Sequence, residues 1–276
     1  MRLREGFTEE GTPDLKYYAF DWDDNIVTMP TRIMVKDDNG DVVGMTTEDF
    51  AHYRSKIGKE DFDYNGKMIV GFDEDPFRNF RTAGDKAFLI DAMLAKPGPA
   101  WNDFVECINN GSIFSIITAR GHNPNTIKEA AYNYIISDFK GISKDELVKN
   151  LKKYRNFTDE EELSDLELIK SYLDLCKFYP VSFGTGAEAN PEEEKVKALD
   201  EFVNFIKGLS HELNKKAYLK NNVKNFFLPT IGFSDDDLKN VETIKKHFEN
   251  KPDNIVQPYL TAGGKKIKYW NKLKNY

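Results

Sequence analysis

Short, uninterrupted apolar runs alternate with longer stretches in which apolar residues recur every three or four positions. YYAF at 17 to 20, IFSII at 113 to 117, FYPVSF at 178 to 183 and NFFLPTIGF at 225 to 233 predict strands, and NIVQPYL at 254 to 260 a fifth. These runs lack the polar alternation of a half-exposed strand, so both faces of each are expected to be covered. Helices are predicted from Pro99, Asn123, Asp165, Asn190 and Asp236. Two of them open on Asn-Pro, an N-cap followed by a residue preset for the first helical position. Glu192, Glu193 and Glu194 then complement the positive helix end. Strands alternating with helices predict an α/β fold with a parallel sheet.

The rhythm breaks between Met29 and Pro97. There, RIMVKDDNGDVVGM reads as a β-hairpin turning at Asp38, Asn39 and Gly40, followed by a mixed stretch. Residues 1–28 and 98–260 are thus expected to form a core, 29–97 an inserted mixed α/β cap or lid, and 261–276 a basic C-terminal tail. A second elaboration, about Gly141 to Ser164, is charged and helical, either a lobe or a solvated decoration.

Composition narrows the setting. With 276 residues, 40% hydrophobic and 31% charged, the chain has enough sequence for a large buried core. The net charge of −7 repels polyanions, which disfavours nucleic acid as a partner without excluding it. The best local exception is the tail, where Lys265, Lys266, Lys268, Lys272 and Lys274 surround Tyr269 and Trp270, as a solvated tail or a docked end. Cys107 and Cys176 have no metal or redox spacing and suit a reducing compartment. No signal peptide or spanning segment is legible, so a cytoplasmic protein with no membrane partner is expected.

Four strand ends carry candidate chemistry. YYAF runs into Asp21 and Asp23, and ligands of open parallel sheets bind beyond the carboxyl ends of strands. Taken alone, D-x-D after an apolar run is compatible with a plain turn. The run IFSIIT ends in Thr118 before a glycine and a helix start, where a hydroxyl and free N–H groups can cradle phosphate. Lys195 opens the helix after Pro191, with Lys197 as a competing choice. NFFLPTIGFSDDD ends in Asp235, Asp236 and Asp237, then Asn240, and this crowding of carboxylates asks for a cation or a helix N-terminus.

In type and order these features resemble the haloacid dehalogenase (HAD) superfamily of phosphotransferases: D-x-D, then Thr or Ser, then Lys, then an Asp pair. Receiver domains use similar residue types in a different order. The resemblance covers about 17 to 28, 99 to 136 and 178 to 250, and implies a Rossmann-like three-layer α/β/α parallel sheet. It implies Asp21 as a nucleophile forming an aspartyl-phosphate, with Asp23 as the acid and base that serves the leaving group and water. Thr118 and Lys195 would bind phosphate oxygens, and Mg²⁺ would be held by Asp21, the backbone carbonyl of Asp23, and Asp235 or Asp236. Asn25 departs from the pattern, standing where the family usually carries Thr or Val.

By the same resemblance the insert selects the leaving group, with Arg54, Arg78 and Arg81 as candidate contacts alongside Lys56, Tyr53 and Phe77. Pairing with nearby acids is the competing role of each arginine. The expected activity is a Mg²⁺-dependent phosphomonoesterase acting on a small phosphorylated metabolite, a nucleotide or sugar phosphate. A nucleic-acid end phosphatase, a phosphotransferase and a non-catalytic binding protein of the same fold are the alternatives.

Overall fold

The strand Lys16–Phe20, β1, lies inside a six-stranded sheet and carries the first carboxylate at its carboxyl end. The computed structural model describes residues 16–154, 163–185, 190–221, 229–261 and 266–269. After β1 come β2 (Val27–Thr28), β3 (Ile33–Asp37), β4 (Val42–Met45), α1 (Thr47–Tyr53), β5 (Phe62–Tyr64), β6 (Lys67–Phe72), α2 (Asp85–Leu94) and β7 (Lys96–Pro97). There follow α3 (Trp101–Asn109), β8 (Phe114–Thr118), α4 (Pro124–Ile136), α5 (Lys144–Tyr154), α6 (Asp165–Leu175) and β9 (Lys177–Pro180). The chain continues through α7 (Pro191–Asn221), β10 (Thr230–Asp235), α8 (Leu238–Phe248), β11 (Val256–Leu260) and β12 (Ile267–Lys268).

The main sheet has the order β12-β11-β10-β1-β8-β9, all parallel except β12. The chain steps outward from β1 through β8 to β9, then crosses to the other side for β10 and β11. That reversal next to β1 opens a crevice at the carboxyl ends. Tyr17, Ala19, Ile117 and Phe233 pack in a core with α7 and α8, whereas Phe20, Phe114 and Ile116 pack with α3, α4, α5 and α6. Helices therefore cover both faces, the physical reason the strand runs are apolar throughout. All five expected strands are present, and residues 225–228 of the fourth run lie outside the described part.

The segment between β2 and β7 is two things rather than one. β3 to β6 form a separate four-stranded antiparallel sheet, β4-β3-β6-β5, with its own small core of Val35, Met45, Ile57, Phe62, Tyr64 and Ile69. The expected hairpin is β3–β4, turned by Gly40 at φ 82° and by Asp37, whose carboxylate accepts the Asn39 and Asp41 N–H groups. α2, by contrast, packs on the main core through Phe88 and Ala92, and Tyr134 donates to the Ala92 carbonyl at 2.8 Å.

β2 and β7 pair antiparallel and bring the two ends of this segment together. Gly98 follows it, and a Cβ there would lie 2.5 Å from the Asn25 carbonyl oxygen, in the loop that leaves β1. Gly98→Ala is accordingly expected to destabilise the fold by about 2–3 kcal/mol, because backbone rather than a flexible side chain would have to move. Urea unfolding checks this, and an unchanged midpoint would refute it.

Of the two readings of the stretch after Gly141, a lobe or a solvated decoration, α5 is not the decoration. Leu147, Val148 and Leu151 are buried in the same core as α3 and α6, while Asp145, Glu146, Lys149 and Lys152 are exposed. Ser164 then starts α6 with a capping box closed by Glu167. The described part of the C-terminal tail is a docked end: β12 pairs with β11, and Lys266 reaches Asp103 at 2.9 Å. Lys265, Trp270, Lys272 and Lys274 lie outside the described residues. Cys107, on α3, and Cys176, the C-cap of α6, are free and buried. Among the described residues no helix is long and apolar enough to cross a membrane.

Candidate active site

Parallel pairing aligns the strand ends. Phe20 is level with Ser234 and with Ile116, and the Asp21 N–H donates to the Ser234 carbonyl at 2.9 Å, so Asp21 and Asp235 emerge side by side. Thr118 ends the neighbouring strand on the other side. All three are buried. Alternation along β1 puts Asp21 on the same side as Tyr17 and Ala19, the side covered by α7.

Lys195 comes from that helix. It shares a stripe with Leu199, Phe202 and Ile206, spaced four, three and four residues apart, so packing of α7 on the sheet carries its ammonium inward. Nζ donates to Asp21 Oδ1 and to Asp235 Oδ2, both at 2.8 Å. Lys197 points away, exposed and paired with Glu194, so of the two lysines it is Lys195 that faces the carboxylates.

The three consecutive aspartates divide their work. Asp235 is fully buried and also accepts the Asn240 amide and the Asp237 N–H. Asp236 offers an oxygen that lies within 4.8 Å of carboxylate oxygens of Asp21 and Asp235. Asp237 is the N-cap of α8 and contacts Arg54 of the insert at 3.4 Å. The Asp23 carboxylate is not in the group with Asp21.

Asn25 ties the loop together. Its amide donates to the Asp21 and Ser234 carbonyls and to Ser234 Oγ, each at 3.0 Å, and its oxygen accepts the Thr261 hydroxyl at 2.8 Å. The departure at this position is thus a buried bracket between β1, β10 and the residue after β11. Asp24 beside it takes a left-handed conformation, φ 53°, and donates its N–H to the Val27 carbonyl to close the turn.

The sequence reading missed Arg120. Nε donates to Asp23 Oδ2 and Nη2 to Asp23 Oδ1, both at 2.7 Å, a bidentate pair. The guanidinium is buried, 4.5 Å from the centre of the Phe80 ring and 5.0 Å from that of Phe88. A usable signal was present: arginine two residues past a strand-end threonine, in a segment otherwise free of acids, needs a carboxylate from elsewhere.

Among the candidate contacts in the insert, Arg54 sits against Asp237. Arg78 pairs with Asp73 and donates to the Asp75 carbonyl, and Arg81 pairs with Asp75, so both engage their own segment. Lys56 pairs with Glu60. Tyr53 stacks on Phe62 inside the small sheet's core, and Phe77 packs edge-on against Phe50.

Electrostatically, one lysine faces three carboxylates. Burial first, then the neighbouring Asp235 and Asp23, push Asp21 up to about 8 despite Lys195. Burial and the Asp235 and Asp21 charges push Asp236 up to about 9. Burial alone would lower Lys195, but its attraction to Asp21 and Asp235 outweighs this and holds it charged. Asp21, Asp235 and Asp236 are the residues that could hold a hard cation, since each offers a carboxylate oxygen to the same small volume.

The sign of the linkage follows. The folded chain holds protons on Asp21 and Asp236 to about 8 and 9, while the unfolded chain releases them near 3.8, so without a divalent cation stability falls as pH rises between these values. Mg²⁺ is expected to raise Tm little near pH 5 and clearly above pH 8, since binding requires the ionised forms. Calorimetry with and without Mg²⁺ across that range checks it. An increment independent of pH would refute it.

Comparison with protein-family models, curated proteins and solved structures finds no match to this chain.

Proposed function

We propose that the chain is a HAD-like, Mg²⁺-dependent phosphomonoesterase acting through an aspartyl-phosphate, on a small phosphorylated metabolite. One observation carries the reading: buried Lys195 bridges Asp21 and Asp235 at the sheet's switch point, with the Asp236 carboxylate beside them. The small antiparallel sheet, reaching the site through Arg54 and Asp237, is on this reading the lid.

Asp21 attacks phosphorus in line, forming an O–P bond as the ester P–O bond breaks, and Asp23 gives its proton to the leaving oxygen. Asp23 then takes a proton from the water that cleaves the acyl phosphate, which releases inorganic phosphate and restores Asp21. Lys195 has three N–H donors and spends two on Asp21 and Asp235, so one remains for a non-reacting phosphate oxygen. The Thr118 hydroxyl, at the end of β8, serves a second oxygen. Asp21, Asp235 and Asp236 would hold Mg²⁺, whose charge would offset the repulsion between Asp21 and an anionic substrate.

The test is phosphate release from sugar phosphates, nucleotides and 3′- or 5′-phosphorylated oligonucleotides, with Mg²⁺ or EDTA. Metal-dependent turnover supports the reading, and the best substrate separates metabolite from nucleic-acid ends. No turnover, together with no aspartyl-phosphate from a small phosphoryl donor, would favour a non-catalytic binding protein. Deleting everything after Thr261 is a poor probe of nucleic-acid binding, because it also removes β12 from the sheet.

A further inference from the structure

Arg120 leaves the loop after β8 with four N–H groups engaged. Two hold Asp23; Nη2 also approaches Thr31 Oγ1 at 3.4 Å, and Nη1 meets His122 Nε2 at 3.2 Å. Since Arg120 can only donate, Nε2 of His122 is the acceptor, and Nδ1 carries the proton that goes to Asp85 at 2.8 Å. Thr31 in turn donates to Asp91 at 2.7 Å. Thr31, Phe80, Asp85, Phe88 and Asp91 all lie in the inserted segment. Backbone joins the two parts as well, for the Gly121 N–H donates to the Phe80 carbonyl at 2.8 Å.

A desolvated guanidinium clamped by rings and by a neutral histidine has one orientation, and its fork imposes that orientation on the carboxyl plane of Asp23. We propose that Arg120 is a positioning residue for Asp23, through which the inserted segment sets the geometry of proton transfer to the leaving group. The inference rests on the phosphomonoesterase reading. Asp23 has four lone-pair directions and Arg120 takes two, so the fork fixes which two remain open toward the leaving group.

The leaving group provides a readout that a merely structural role would not move. An alkyl phosphate needs its oxygen protonated as the P–O bond breaks, whereas p-nitrophenolate departs as the anion. Arg120→Lys keeps the charge but loses the fork. Its kcat on an alkyl phosphate is expected to fall about 10²-fold, with a much smaller fall on p-nitrophenyl phosphate and little change in KM. Arg120→Ala should recover alkyl-phosphate turnover when guanidinium is added. Asp85→Asn, at a partly exposed carboxylate, should show the same selectivity more weakly, and it decides the matter should the Arg120 variants not fold.

Equal losses on both substrates, or none, would overturn the proposal while leaving the phosphatase reading intact. A wild-type protein with no turnover on the full substrate panel and no aspartyl-phosphate from a small phosphoryl donor would remove that reading, and this inference with it.

Discussion

Asp21→Asn is expected to lower phosphate release by about 10⁴-fold or more while the protein stays folded. The amide cannot form the acyl phosphate, and no other group among the described residues occupies the end of β1 beside Lys195. The same change should raise Tm above pH 8 when no divalent cation is present. The wild-type carboxylate is held up to about 8, chiefly by burial, so its ionisation opposes folding once the pH passes its ordinary 3.8. The uncharged amide removes that opposition. Loss of activity with an unchanged or lowered Tm would mean that Lys195 stabilises the ionised carboxylate more than burial disfavours it.

Lys195→Met is expected to be the most destabilising single change at the site, by about 3–5 kcal/mol near neutral pH. It removes the ammonium that donates to both Asp21 and Asp235 at 2.8 Å and leaves these buried acceptors without that donor, although the methylene stem is nearly preserved. Millimolar Mg²⁺ should return part of that stability by supplying the missing charge. Urea unfolding with and without Mg²⁺ measures both effects. Lys197→Met is the control: that side chain is exposed and pairs only with Glu194, so its midpoint should not move. Equal effects at the two lysines would contradict the assigned geometry.

Much of the site was legible because it is built from strand ends. An apolar run that stops at a carboxylate or hydroxyl marks the strand end, and Asp21, Thr118 and the run Asp235 to Asp237 do stand at the ends of β1, β8 and β10. Lys195 could also have been separated from Lys197, since it alone shares the apolar stripe of its helix. The roles of Arg78 and Arg81 were not readable, because nearby acids and a distant ligand call for the same residue type, and here the acids hold them. Likewise, the charge of α5 concealed a buried face, since composition averages over the two sides of a helix.

By itself the sequence determined the five parallel strands of the main sheet, the hairpin after β2 and the helices that follow the parallel strands, all of which follow from local periodicity and capping. Only the tertiary structure decided which groups meet. Arg120 finds Asp23 across 97 residues, and Thr261 finds Asn25 across 236. Those pairings depend on strand order and on where the inserted segment packs. Both are settled by burial summed over the whole molecule, and no window of sequence contains that sum.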